Sequence, residues 1–202
     1  MRANPIGSTT PRIGILIPSL SEREGLLKRV YNELQRQIQE CGANFYVGIF
    51  INEDQGQKTT GQKRNELIEE AAQWGVKYTA FVDDDDEVGP TYVRRALEVL
   101  ESGFDTAELW GDIYWNGKKG KPFHHSLIHA EWWEDNQFYY RCPNHLNFMK
   151  LDLVKDVKFP DQNFGEDGQW SMKIKELGLL KTEYKIPETI YKYYNGHPKH
   201  AL

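Results

Sequence analysis

Cysteine is almost missing from this chain: Cys41 and Cys142 are the only two in 202 residues. They share no C-x-x-C spacing, so a disulfide framework, a thiolate metal site and thioredoxin chemistry are without support, and two reduced thiols remain. Long apolar runs are missing as well. No stretch approaches the roughly 18 residues of a membrane helix, and Met1 to Arg12 has no apolar core of a secretory leader. The expected compartment is therefore the cytoplasm, without membrane association, and residues 1–11 read as a loose arm. Positive charge is not in excess, since 25 Lys and Arg stand against 30 Asp and Glu for a formal net charge of -5. That balance weighs against a dedicated nucleic-acid coat, whose affinity comes from neutralising phosphates. H-E-x-x-H and G-x-G-x-x-G are absent, which excludes a zincin and the Rossmann dinucleotide fingerprint.

What is present alternates. Arg12 to Pro18 (RIGILIP) is a β-branched run closed by proline, the pattern of a buried strand. Ser21 and Glu24 have capping-box spacing, and Leu26, Leu27, Val30, Leu34 and Ile38 recur at helical intervals up to Gly42. Phe45 to Ile51 predicts a second strand, Arg64 to Trp74 a helix, and Lys77 to Val82 a third strand that runs into four aspartates. Pro90 suits the first turn of a further helix ending near Gly103. Residues 105–150 carry turn signals and aromatics and predict strands and loops of a mixed sheet. Glu166 to Leu177 predicts a last helix, and Ile186 to Tyr194 a returning strand. The expectation is a single α/β domain over residues 12–195 with a Rossmann-like, mostly parallel sheet flanked by helices and an antiparallel portion. It divides into residues 12–104 and 105–195, followed by a tail, 196–202.

In such a sheet ligands bind at the carboxyl ends of the strands. Ser19, Glu53, Asp54 and Asp83 to Asp86 should therefore converge, and adjacent carboxylates there repel unless donors or a cation compensate. Magnesium or manganese suits such hard oxygen ligands. An EF-hand fails because Val88 stands where its glycine is required, and the Gly56 to Gly61 loop lacks the Lys and Ser/Thr placement of a phosphate loop. Lys63, Arg64 and Asn65 at a helix start offer cations to a diphosphate, against the alternative of plain surface charge. Glu166 and Asp167 are either helix-capping acids or a general base. His197 and His200 form a pair in the terminal segment. Trp110, Trp115, Trp132, Trp133, Tyr139 and Tyr140 form an acceptor platform or simply core.

Three ordered motifs, ILIPS at residues 15–19, FVDDDD at 81–86 and GED at 165–167, resemble those of family 2 glycosyltransferases of the GT-A fold. The similarity covers about residues 12–177, and PSLSER (18–23) with GQKRN (61–65) further resembles small phage and bacterial members. The resemblance implies an inverting, non-processive transfer from a nucleotide-sugar, usually a UDP-sugar, with Mn2+ or Mg2+ as cofactor. Residues 12–104 would form the nucleotide-sugar half and 105–195 the acceptor half. It implies donor contacts at Pro18, Ser19, Glu22, Arg23, Asp54, Lys63, Arg64, Asp83 and Asp84, metal ligation by Asp85, and Asp167 as base with Glu166 beside it. His197, in a terminal segment that could fold back on the carboxylate cluster, is a second candidate metal ligand read from the residues themselves. His145, Asn147 and Trp110 fall on the acceptor side. The acceptor is a glycan or a hydroxymethylated DNA base. The second-strand loop, Asn52 to Gln55, departs from the family's D-D-G-S, and no Q-x-x-R-W follows Trp170. The alternatives are a nucleotidyltransferase of similar fold, whose glycine-rich opening loop is missing, and a non-catalytic carbohydrate or nucleic-acid binding module.

Overall fold

Ile13–Leu20 (β1) is buried from Ile13 through Ser19, as an unbroken apolar run demands of a strand covered on both faces. It is the centre of a computed structural model that describes residues 12–195. Val47–Asp54 (β2) and Tyr78–Phe81 (β3) flank it in parallel. The crossovers are Glu24–Glu40 (α1) and Thr60–Gln73 (α2). The chain continues through Glu87–Val88 (β4), Tyr92–Ser102 (α3), Thr106–Ala107 (β5) and Leu109–Trp115 (β6). Lys118–Lys119 (β7), Phe123–His125 (β8), Trp133–Glu134 (β9), Tyr139–Arg141 (β10) and Met149–Lys150 (β11) follow. Leu151–Val154 (α4), Glu166–Glu176 (α5), Glu183–Tyr184 (β12) and Thr189–Asn195 (β13) complete the described residues.

The first sheet has the order β12-β5-β11-β3-β1-β2. Its parallel centre is extended by β11, which is antiparallel to both β3 and β5. The second sheet, β4-β13-β6-β8-β10-β9 with β7 on β6, mixes parallel and antiparallel pairs. Residues beyond 104 thus supply three strands of the first sheet, and β4 from the first half joins the second. Alternation along β1 sorts the core: Ile13, Ile15 and Ile17 pack with Leu27, Val30 and Leu34 of α1 and Val93 and Ala96 of α3. Leu16 faces the other way, toward Leu67 and Ile68 of α2 and Trp170 and Ile174 of α5. Each such buried aliphatic contributes about 1.5–3 kcal/mol.

Three local expectations are corrected. Ser21 and Glu24 do not form a capping box: Ser21–Arg23 is a single 3-10 turn, and α1 begins after Arg23 without a side-chain cap. Arg23 is instead engaged by carboxylates across the sheet edge. The capping box belongs to α2, where the Thr59 hydroxyl accepts from Gln62 N–H and the Gln62 side chain accepts from Thr59 N–H. That cap starts α2 at Thr60, four residues before the predicted start, and places Lys63 at the end of its first turn and Arg64 at the start of the second.

Candidate active site

β1, β2 and β3 run parallel, so their carboxyl ends open on one edge. Asp83 to Asp86 turn there directly after Val82, with Asp86 N–H donating to the Asp83 carbonyl at 3.2 Å. The four carboxylates turn toward donors on three sides, with Arg23 shared by Asp84 and Asp85. Asp83 accepts from Arg64 Nη2 at 3.0 Å. Asp84 is buried and accepts from the Ser19 hydroxyl at 2.7 Å and from Arg23 Nη1 at 2.9 Å. Asp85 accepts from the same Arg23 nitrogen at 3.1 Å. Asp86, fully buried, accepts from the Tyr191 hydroxyl and from Tyr194 N–H, both at 2.8 Å.

The environments pull the acidities apart. Burial would raise the Asp83 pKa, but Arg64, His145 and Arg23 outweigh it and hold that carboxyl below its ordinary value. Burial and the charge of Asp83 push Asp85 up to about 6, against the pull of Arg23. Asp86 is raised well above the ordinary range by burial and then by Asp83 and Asp85.

α2 supplies two buried cations, Lys63 and Arg64, from its first two turns. Lys63 donates to the Ser19 carbonyl at 2.6 Å and pairs with Asp54, so it is not surface charge. Its ammonium is spent on joining the ends of β1 and β2 rather than presented to a ligand. Arg64 stacks against Phe81 and Phe159 and reaches Glu166 at 3.6 Å, yet its Nε and Nη1 are buried with no hydrogen-bond partner. Buried donors left idle are costly unless a ligand uses them. Asp54 also closes its own turn by accepting from Gly56 and Lys58 N–H groups.

Opposite these strand ends stands α5, entered through Gly165 in the left-handed region at φ 75°. Glu166 turns inward, buried, with its carboxyl pKa raised by burial against the field of Arg64. Asp167 stays half-exposed, with Oδ2 3.7 Å from His145 Nδ1. The other ring nitrogen, Nε2, lies 3.6 Å from Asp83 Oδ2, and neither nitrogen makes a hydrogen bond among the described residues. His145 therefore stands between the two acidic motifs rather than out on an acceptor face.

Other predicted positions lie elsewhere. Asn147 is buried and wholly engaged: Oδ1 accepts from Asn144 N–H, and Nδ2 donates to the Ala107 carbonyl at 2.8 Å. It shapes the turn that presents His145 and is not available to an acceptor. Pro18 is buried within β1 opposite Asn52. Glu22 is exposed beside Asp54 in a cleft of about 240 Å³. Trp110 stacks on His124 at 3.8 Å, in the second sheet. His197 lies outside the described residues. Sequence reasoning missed Tyr191 and Tyr194, whose partner Asp86 is more than a hundred positions away.

Among the described residues no group of three His, Cys, Asp or Glu side chains is gathered to hold a metal ion. The donor set at Asp85 fits a different arrangement, one hard carboxylate for a cation that takes its other ligands from water and a substrate diphosphate. The raised Asp85 pKa marks a carboxylate whose charge Arg23 alone does not balance.

The architecture is the GT-A fold of nucleotide-sugar glycosyltransferases. A crystal structure of S. aureus TarS 1–349 matches with a TM-score of 0.60 at 16% identity, over 91% of this chain and 60% of that one. The same fragment in complex with UDP-GlcNAc matches with a TM-score of 0.60 at 13% identity, over 93% and 59%. A glycosyltransferase involved in glycosylation of the major capsid of PBCV-1 matches with a TM-score of 0.52 at 12% identity, over 91% and 93%. The chain thus spans about 60% of the TarS 1–349 chain it matches. No family model and no curated protein matches the sequence.

Proposed function

We propose that this chain is an inverting, non-processive glycosyltransferase that moves a sugar from a UDP-sugar to a hydroxyl of a glycan or a hydroxymethylated DNA base. The observation that carries the reading is the meeting of two acidic motifs, Asp83 to Asp86 and Glu166-Asp167, across one imidazole at the carboxyl edge of a parallel sheet. The TarS fragment of the same fold has been crystallised with UDP-GlcNAc. Arg64, with idle buried donors beside Asp83, and Asp54, at the end of β2, would bind the nucleotide. Asp167 would take the proton of the acceptor hydroxyl as its oxygen bonds to the anomeric carbon and the bond to the diphosphate breaks, releasing UDP. Glu166, turned toward Arg64, would hold that guanidinium rather than act as the base. Asp85 would hold Mn2+ or Mg2+, whose chemistry when bound is to neutralise charge on the leaving diphosphate.

The test is release of free UDP from a panel of UDP-sugars with manganese, run beside UDP binding read as a melting shift. Asp167→Asn should keep the metal-dependent shift and lose about 10²–10⁴-fold in transfer. Asp85→Asn should lose both. Release of pyrophosphate in place of UDP would identify a nucleotidyltransferase, and absence of any UDP-induced shift would leave a binding module.

A further inference from the structure

Arg141 is unlike the other arginines around the cleft. It lies on β10 two residues from Tyr139, on the same face of the strand, with its guanidinium carbon 4.4 Å from the Trp132 ring centre and 5.6 Å from that of Tyr139. Arg23 and Arg64 are paired with carboxylates, whereas Arg141 makes no ion pair or side-chain hydrogen bond among the described residues. The ring it covers shows the same deficit: Trp132 Nε1 is buried without an acceptor. That ring in turn lies against Gly168, where an added Cβ would stand 3.2 Å from Trp132 Cη2, one residue beyond Asp167. The N–H donors of Arg141 and Trp132 therefore sit together near Gly168, the charge of Asp167 acts on Arg141, and neither side chain donates a hydrogen bond among the described residues.

Aromatic stacking accounts for the orientation of the guanidinium but not for its vacant fork. A cation–π contact uses the face of the group and leaves its in-plane N–H bonds free. Those in-plane bonds match the oxygens of a carboxylate or phosphate, and stacking reduces the freedom lost when they engage.

We propose that Arg141 and the Trp132 indole N–H form an oxyanion subsite that recognises a phosphate or carboxylate group of the acceptor, close to the hydroxyl facing Asp167. The assignment to the acceptor rests on the glycosyltransferase reading; the oxyanion subsite itself does not. It makes the substrate an anionic hydroxyl compound rather than a neutral sugar, and Arg141 the residue that selects it.

The experiment is a nitrogen–proton NMR titration of the full chain saturated with UDP and Mg2+, with the Trp132 Nε1–H and Arg141 Nε–H signals assigned through W132F and R141K. The probes are methyl phosphate and acetate, with potassium chloride at equal ionic strength as the control. At least one probe should move both signals along one saturable curve, and the comparison of the two identifies the oxyanion. R141Q should weaken the response of Trp132 about tenfold or more, and R141K, which keeps charge but not the fork, should fall between. Signals that follow chloride alone, or an R141Q protein that binds the probe as the parent does, would overturn the subsite. UDP binding in the same samples reports separately on the broader reading. Its loss with the anion response intact would remove the link to an acceptor and leave the subsite standing.

Discussion

Four consecutive aspartates can share one turn because no two of them lean on the same set of donors. Ser19 and Arg23 serve Asp84, Arg64 serves Asp83, and the buried Tyr191 hydroxyl serves Asp86 while also accepting from Asp83 N–H at 3.2 Å. Tyr191 is thus the hinge pin of the turn without being exposed to any ligand. Tyr191→Phe keeps the ring and removes both bonds, leaving a buried carboxyl oxygen and a buried N–H short of partners. The expected loss is about 1–3 kcal/mol of stability, measured by urea denaturation. Metal-dependent UDP binding should weaken with it, because the carboxylates that precede Asp86 lose their fixed register. A variant with parental stability and parental UDP affinity would show that Tyr191 holds nothing in place.

At the scale of elements, the junction between α2 and residues 160–162 is the tightest described here. Gly61 N–H donates to the Gln162 carbonyl at 3.1 Å, and a Cβ on Gly61 would fall 1.8 Å from the Pro160 carbonyl oxygen. Backbone must move to admit it, so Gly61→Ala should cost about 1–3 kcal/mol or more and weaken UDP binding through displacement of Arg64. Gly56→Ala is the useful contrast. Gly56 has φ +86° and open space around its Cβ position, so the cost there is backbone strain of about 1–2 kcal/mol with Arg64 left where it is. Equal effects of the two on UDP binding would argue against a placement of Arg64 by this contact. The elements also divide by how far the sequence announces them. β1, β2 and β3 are readable because apolar and β-branched residues are consecutive and each run ends in turn chemistry. The acidic edge is readable because parallel strands share a carboxyl end. β5, β11 and β12 have two residues each, too few to carry a period, and they exist only by pairing with distant strands, whereas β7 and β9, equally short, pair locally with the neighbouring β6 and β10. The burial of Lys63 and Arg64 was hidden for a related reason: the Thr59 cap, five residues upstream of the predicted helix start, decides which way they point. His145 gave no local sign of its neighbours, since Asp83 and Asp167 reach it only through the tertiary fold.

The molecule as a whole carries a pH dependence away from the acidic edge. In the second sheet burial pulls the His125 pKa down to about 3 and that of His124 down to about 4. Both are therefore neutral in the folded protein at pH 5, while the unfolded chain takes up protons below about 6.5. The folded pKa lies below the unfolded one, so the stability these two histidines contribute is complete above about pH 6.5 and is lost progressively as pH falls toward the folded values. For fully buried His125 the loss between pH 7 and pH 5 is about 2 kcal/mol, and His124 adds in the same direction. Denaturation midpoints at the two pH values measure it. Asp85 and Asp86, whose carboxyl pKa values are raised in the fold, act in the opposite direction over the same range, so the parent is compared with His125→Gln: if both change equally between pH 7 and pH 5, His125 is not held neutral by the fold.

The clamp of β13 on the acidic turn also orders events in time. Asp86 and Tyr191 stand 105 positions apart in the chain, so during synthesis the aspartates emerge well before the strand that fixes them. Until residues 189–195 arrive, Asp86 has no hydroxyl or backbone N–H from β13, and the parallel core can collapse around a turn whose carboxylates still face water. If the chain binds a nucleotide-sugar as proposed, donor affinity would therefore not mature with residues 12–104 alone. On that reading it would appear at the step that seats β13 between β4 and β6.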